Sequence, residues 1–94
     1  NRWCKLVLIS NTIVCSKDFN ERNVQNFVAE TKKLNSLIYL QTKKDERRIN
    51  GKSSPAILDL KLKKGDEFKI ILFNSFEEEM QPELDKILDV IKGL

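Results

Sequence analysis

The sequence predicts an α+β fold: an open-faced sandwich with a four-stranded antiparallel sheet and three helices on one face, in the order βαββαβα. Three observations carry this. Apolar residues alternate with a period of two in Trp3–Ile9, Leu37–Thr42 and Glu67–Phe73, the pattern of half-buried strands. Around Val24–Leu34 and Leu84–Ile91 they recur instead at steps of three and four, the pattern of helices with one buried stripe. Between these segments lie capping and turn residues such as Asp18, Asn20, Ser53, Ser54 and Lys63–Asp66.

The elements follow in order. In Trp3–Ile9, Lys5 marks one face as solvated, so Cys4, Leu6 and Leu8 are expected on the core face, and polar Ser10–Thr12 ends the run. Asp18 with Glu21 forms a capping-box pattern, and Asn20 competes as the cap. Val24, Phe27, Val28, Thr31 and Leu34 then make the stripe of a helix of about 13 residues. Leu37–Thr42 is the second strand, with Ile38 and Leu40 inward and Tyr39 outward. Lys43–Glu46 is a charged turn into a short third strand, Arg47–Asn50, its hairpin partner. A short helix is expected over about Ser54–Leu60, capped by Ser54, because Pro55 suits the first helical position and disfavours helical geometry in the residue before it. Phe68, Ile70 and Leu72 alternate inward in the fourth strand. The last helix buries Leu84, Ile87, Leu88 and Ile91, and either starts near Pro82 or is kinked there, because proline removes a backbone donor. Tyr39, Ile71 and Phe73 fall on the outer face of the sheet, which makes that face a candidate contact surface.

Composition narrows the function. The 94 residues form one domain, 40% hydrophobic and 33% charged, which excludes a disordered chain. A net charge of +3 excludes a histone-like polycation. There is no histidine, so histidine general-base, metal-histidine and phosphohistidine chemistry are absent. Two cysteines, Cys4 and Cys15, are too few for a disulfide scaffold or a four-cysteine zinc site, and are expected as free thiols of a cytoplasmic protein. No base–nucleophile constellation and no glycine-rich phosphate loop appears, so neither an enzyme nor a cofactor is expected. No apolar run is long enough to span a bilayer.

Charge is uneven. Residues 43–64 carry eight basic and three acidic side chains, and residues 66–94 carry three basic and eight acidic ones. Lys43, Lys44, Arg47, Arg48 and Lys52 form a candidate basic patch for an acidic protein surface or a nucleic-acid backbone. Aromatic residues are absent from that segment, which removes the stacking platform of single-strand binders. Nucleic acid is therefore the less expected partner.

Several segments carry a family resemblance. They are Arg48–Ile49–Asn50–Gly51–Lys52–Ser53, Asn35–Ser36–Leu37–Ile38–Tyr39–Leu40, Asn26–Phe27–Val28, Lys64–Gly65–Asp66–Glu67 and the acidic start of the last helix, Glu77–Glu78–Glu79. In this order and spacing, over about residues 5–92, the chain resembles the histidine-containing phosphocarrier protein (HPr) family of the bacterial sugar phosphotransferase system.

The resemblance implies specific positions. The family's phosphorylated histidine falls on Asn20, its arginine two places on falls on Arg22, and its following proline falls on Asn23. An amide is not a phosphate-accepting nucleophile as an imidazole nitrogen is. What remains is a helix N-terminus with free backbone donors beside Arg22. The family's regulatory serine falls on Ser53, where a phosphate would be expected to meet Lys52 and Arg48. Ser54 and Pro55 stand where the family has large apolar docking residues. The implied function is a monomeric regulatory or protein-binding module without the phosphocarrier histidine. The alternatives are a phosphocarrier using Cys15, whose thiolate a nearby helix N-terminus would favour, and weak nucleic-acid binding through residues 43–64.

Overall fold

Each alternating segment becomes a strand, and its inward side chains become the floor of the core. The structure, a computed structural model, describes residues 6–94. Its elements are β1 (Leu6–Ile9), β2 (Ile13–Val14), α1 (Glu21–Thr31), β3 (Leu37–Thr42), β4 (Arg48–Asn50), α2 (Ser54–Asp59), β5 (Glu67–Asn74) and α3 (Glu77–Lys92). The sheet is antiparallel, in the order β1-β5-β3-β4, with β2 also paired to β5. This is the expected open-faced α+β sandwich, with three helices and five strands rather than four.

The fifth strand arises from a bulge. Ile9 faces Ile71 and Ile13 faces Phe68, so the segment Ser10–Thr12 opposes only Lys69 and Ile70. Ser10 spans the mismatch. Its N–H donates to the Ile70 carbonyl, and its Oγ accepts from the Ile70 N–H, each at 2.9 Å. The polar residues that seem to end the first strand therefore interrupt one continuous edge. The part of that run before Leu6, including Cys4, lies outside the described residues. On the expected core face, Leu8 packs against the core but Leu6 is 43% exposed, because β1 is an edge strand.

Ile38, Leu40, Phe68, Ile70 and Leu72 line the inner face and are fully buried. Against them pack Val24, Phe27 and Val28 of α1, Ile57 of α2, and Met80, Leu84, Ile87 and Ile91 of α3. Helix α1 is shorter than its stripe suggests. It stops at Thr31, and Leu34 reaches the core from the turn beyond. Helix α3 starts at Glu77 and runs through Pro82, so of the two expected readings the earlier start is the one adopted. The missing donor leaves the Glu78 carbonyl without its helical partner. Burial of Met80 before the proline, in line with Leu84 after it, sustains the first turn, and Glu77–Glu79 suit the positive end of the helix dipole. Leu88, expected in the buried stripe, is only half-buried.

Polar residues close the two ends of the helical layer. Thr31 Oγ1 donates to the Gly51 carbonyl at 2.7 Å, and the Gly51 N–H donates to the Ile38 carbonyl at 2.7 Å. At the other end, Glu83 accepts from the backbone N–H groups of Asn35 and Ser36, both at 2.9 Å. Asn74 donates to Ser36 Oγ at 3.0 Å and to Glu79 at 3.1 Å.

A Cβ at Gly51 would lie 2.7 Å from Ile38 Cγ2 and 3.2 Å from the Ile38 carbonyl oxygen, groups with little freedom to move. Gly51→Ala is expected to lower unfolding free energy by about 1–3 kcal/mol in urea titrations. Glu83 gives a pH test. Burial alone would raise its pKa, but the hydrogen bonds from Asn35 and Ser36, with Lys52 nearby, bring it below its ordinary 4.5. A depressed carboxylate stabilises the fold above its unfolded pKa and loses that contribution as pH falls through the folded value. Between neutral pH and 4.5 the Glu83 contribution is therefore intact, and it fades below. Urea midpoints should fall less steeply below that pH in Glu83→Gln than in the parent.

Candidate functional site

The loop from β2 into α1 is tied down at Cys15, Asp18 and Phe19. The Cys15 N–H donates to the Asp66 carbonyl and the Gly65 N–H donates to the Cys15 carbonyl, each at 2.8 Å. Asp18 Oδ1 accepts from the Lys64 N–H at 2.8 Å, and the Phe19 N–H donates to the Leu62 carbonyl at 2.8 Å. Phe19 is buried, with its ring 6.0 Å from that of Phe27 and edge-on to Phe68 at 5.7 Å. Phe19 and Val24 occupy the two positions of a hydrophobic staple, and both are buried. That pairing was present in the sequence but hidden inside a polar stretch.

Phe19 thus sets Asn20 at the surface as the cap of α1. Asn20 Oδ1 accepts from the Asn23 N–H at 2.9 Å, and Asn23 Nδ2 donates to the Asp18 carbonyl at 2.8 Å. Of the competing caps, Asn20 is the one used. Arg22 is exposed and, among the described residues, has no ion-pair partner. Across an open groove lie Leu58 of α2 and, just beyond that helix, Lys61 and Leu62. Lys61 adopts a left-handed φ of 53°, as the residue after a helix C-cap often does, though glycine is usual there.

At the start of α2 the structure corrects the expected cap. Ser53, not Ser54, is the N-cap, and its Oγ accepts from the Ala56 N–H at 3.3 Å. Ser54 is already helical despite preceding Pro55. The turn after β4 decides this. Asn50 accepts from the Lys52 N–H at its side chain (2.9 Å) and from the Ser53 N–H at its carbonyl (3.2 Å), which fixes the chain direction one residue early. Pro55 then occupies the second helical position, where a missing donor costs nothing.

Cys15 is 2% exposed. Burial, then the charges of Asp66 and Asp18, push its thiol up to about 11. The expected activation by the helix N-terminus is thus overridden by desolvation and acidic neighbours.

Of the five cations of the candidate patch, Lys43, Lys44 and Arg47 line one groove at the β3–β4 turn, together with Asp45, Asp59, Asp66 and Glu67, and Arg48 and Lys52 do not. Lys43 pairs with Glu67 at 3.6 Å, and Arg47 pairs with Asp45. Arg48 lies over the Phe73 ring, 5.3 Å from its centroid. Lys52 Nζ donates to the Leu34 carbonyl at 2.7 Å, beyond the end of α1. Lys44 is exposed in the β3–β4 turn.

This geometry can be set beside known proteins. The family model described as "PTS HPr component phosphorylation site" matches residues 9–90. The chain belongs to the HPr family. That makes it a phosphocarrier-related protein of the sugar phosphotransferase system, in a family of carriers rather than catalysts. Among solved structures it is similar to the phosphocarrier protein HPr from Bacillus anthracis str. Ames, with a TM-score of 0.74, 15% identity, and coverage of 89% of this chain and 95% of that one. It is also similar to HPr-C-His from Thermoanaerobacter tengcongensis, with a TM-score of 0.72, 23% identity, and coverage of 90% and 91%. No curated protein sequence matches it. Among the described residues, no helix is long and apolar enough to cross a membrane.

The capping geometry of this HPr-family chain separates its two serines. Ser53→Ala is expected to cost about 0.5–2 kcal/mol in urea unfolding, as loss of a cap does. Ser54→Ala should change stability by less. The reverse order would mean that α2 begins one residue later.

Proposed function

We propose that this protein has given up the family's phosphate transfer and serves as a monomeric, cytoplasmic protein-binding or regulatory module of the sugar phosphotransferase system. The observation that carries this reading is the role of Asn20. By the resemblance it stands at the phosphorylated histidine position, and its amide oxygen is committed to capping α1. Asn23, at the family's proline position, is committed to the Asp18 carbonyl. With no histidine anywhere in the chain, no imidazole can take the phosphate.

The docking surface in this reading is the exposed start of α1, with Arg22, and the groove towards Leu58, Lys61 and Leu62. The positive end of the α1 dipole, Arg22 and Lys61 favour an acidic protein surface there. The buried, poorly ionised Cys15 speaks against a phosphocysteine carrier. The dispersal of Lys43, Arg47, Arg48 and Lys52 onto separate partners speaks against a nucleic-acid track. A phosphate switch at Ser53 is also weakened, because Lys52 and Arg48 both have other partners.

Incubation with the phosphotransferase system's first enzyme and labelled phosphoenolpyruvate is expected to leave the chain unlabelled. Asn20→His alone should restore little label, since Asn23 and the surrounding clasp remain. Acid-labile label on the unmodified protein would overturn the proposal. Label lost in Cys15→Ser would move the carrier function to the thiol.

A further inference from the structure

All three helices pack on one face of the sheet, and among the described residues no helix covers the other. Strand register arranges that outer face in rows. Val7, Phe73 and Leu37 form one row; Ile9, Ile71 and Tyr39 form the next; Lys69, Gln41 and Arg48 form the third. Val7 and Ile9 are each 52% exposed and Leu37 is 43% exposed. Beneath them Ile71 is completely buried, although it points away from the main core. Tyr39 and Phe73 meet edge-on at 5.8 Å.

A sheet face left to water normally alternates to polar side chains. Here two adjacent rows are apolar across three strands, a contiguous patch of the kind that marks an interaction site. The carboxylates nearest to it lie beyond the third row, where Glu46 and Glu67 share a groove with Gln41 and Lys69, and Glu67 is already paired with Lys43 at 3.6 Å. The third row holds Arg48 and Lys69 and no carboxylate. Arg48 reaches back across the face to Phe73, and among the described residues it has no carboxylate partner. A guanidinium laid on an aromatic ring is already partly stripped of water, so an arriving carboxylate meets a pre-placed, bidentate donor.

We propose that this outer face docks an amphipathic helix of another protein, apolar along one side and carrying Asp or Glu along its flank, with Arg48 and Lys69 receiving the carboxylates. A helix is the occupant because a strand adds to the edge of a sheet through its backbone, whereas a sheet face is covered by the apolar stripe of a helix. A second copy of this chain is disfavoured, since apposing two such faces brings four cations together with no carboxylate in these rows. Single-stranded RNA is disfavoured too. Three of the exposed side chains are aliphatic, and two cations neutralise few phosphates. The inference is independent of whether the chain transfers phosphate.

The test uses the isotope-labelled protein and two synthetic amphipathic peptides with the same leucine stripe, one flanked by Glu and one by Lys. The Glu-flanked peptide is expected to shift the amide signals of Val7, Ile9, Leu37, Tyr39 and Phe73, and to bind at least about tenfold tighter than the Lys-flanked one. The double variant Arg48→Glu, Lys69→Glu should reverse that preference with the amide spectrum otherwise retained. The comparison on the unmodified protein stands even if that variant fails to fold. Equal affinities, or shifts confined to α1 and α2, would overturn the proposal. So would a sedimentation mass that rises with concentration, or tighter binding of oligouridylate on the same face.

Discussion

The pairing of β5 on both of its edges is the constraint on which the fold depends. β1 and β2 lie along one side and β3 along the other, so every strand but β4 is registered against it. A strand in that position has no solvated edge, and its inward side chains Phe68, Ile70 and Leu72 have nowhere to go but the core. The core in turn sets the site. Phe19 packs against Phe68, and the carbonyl of Leu62, just ahead of β5, receives the Phe19 N–H. The placement of Asn20 at the mouth of α1 is therefore a consequence of where β5 begins.

The second layer of organisation is polar. Glu83 and Asn74 bind the start of β3 to α3, and Thr31 binds α1 to Gly51. No buried side-chain polar atom among the described residues lacks a hydrogen-bond partner. In a domain this small, such closures matter because the apolar core alone leaves a narrow margin of stability. They also explain why residues that read as a functional basic patch divide among other tasks. Lys52 extends the end of α1, and Arg48 is laid across an aromatic ring on the opposite side of the sheet.

The two candidate surfaces thus differ in chemistry as well as place. At the start of α1, backbone donors and exposed cations surround a capped helix end. On the outer sheet face, aliphatic and aromatic side chains surround Arg48. The start of α1 sets Arg22, Lys61 and Lys63 beside Asp18 and Glu21, while α3 carries Glu77, Glu78 and Glu79 in its first turn alone. The chain is thus polarised at the level of elements, although its net charge is only +3.

The sequence by itself determined the order of every element but β2, the boundaries of β3 and the inward residues of β3 and β5, because alternation and helical spacing are local records of which side is buried. It also determined that these 94 residues carry no imidazole, since composition is read without a fold. Only the tertiary structure decided the bulge at Ser10, which depends on what lies opposite at Lys69 and Ile70. It decided the cap at Ser53, because Asn50 closes the preceding turn. It decided that Cys15 is buried beside Asp66 and Asp18, and that Glu83 reaches Asn35 and Ser36. In each case the deciding partner is distant in sequence or belongs to a turn whose geometry is set elsewhere. Residue spacing carries no record of such partners.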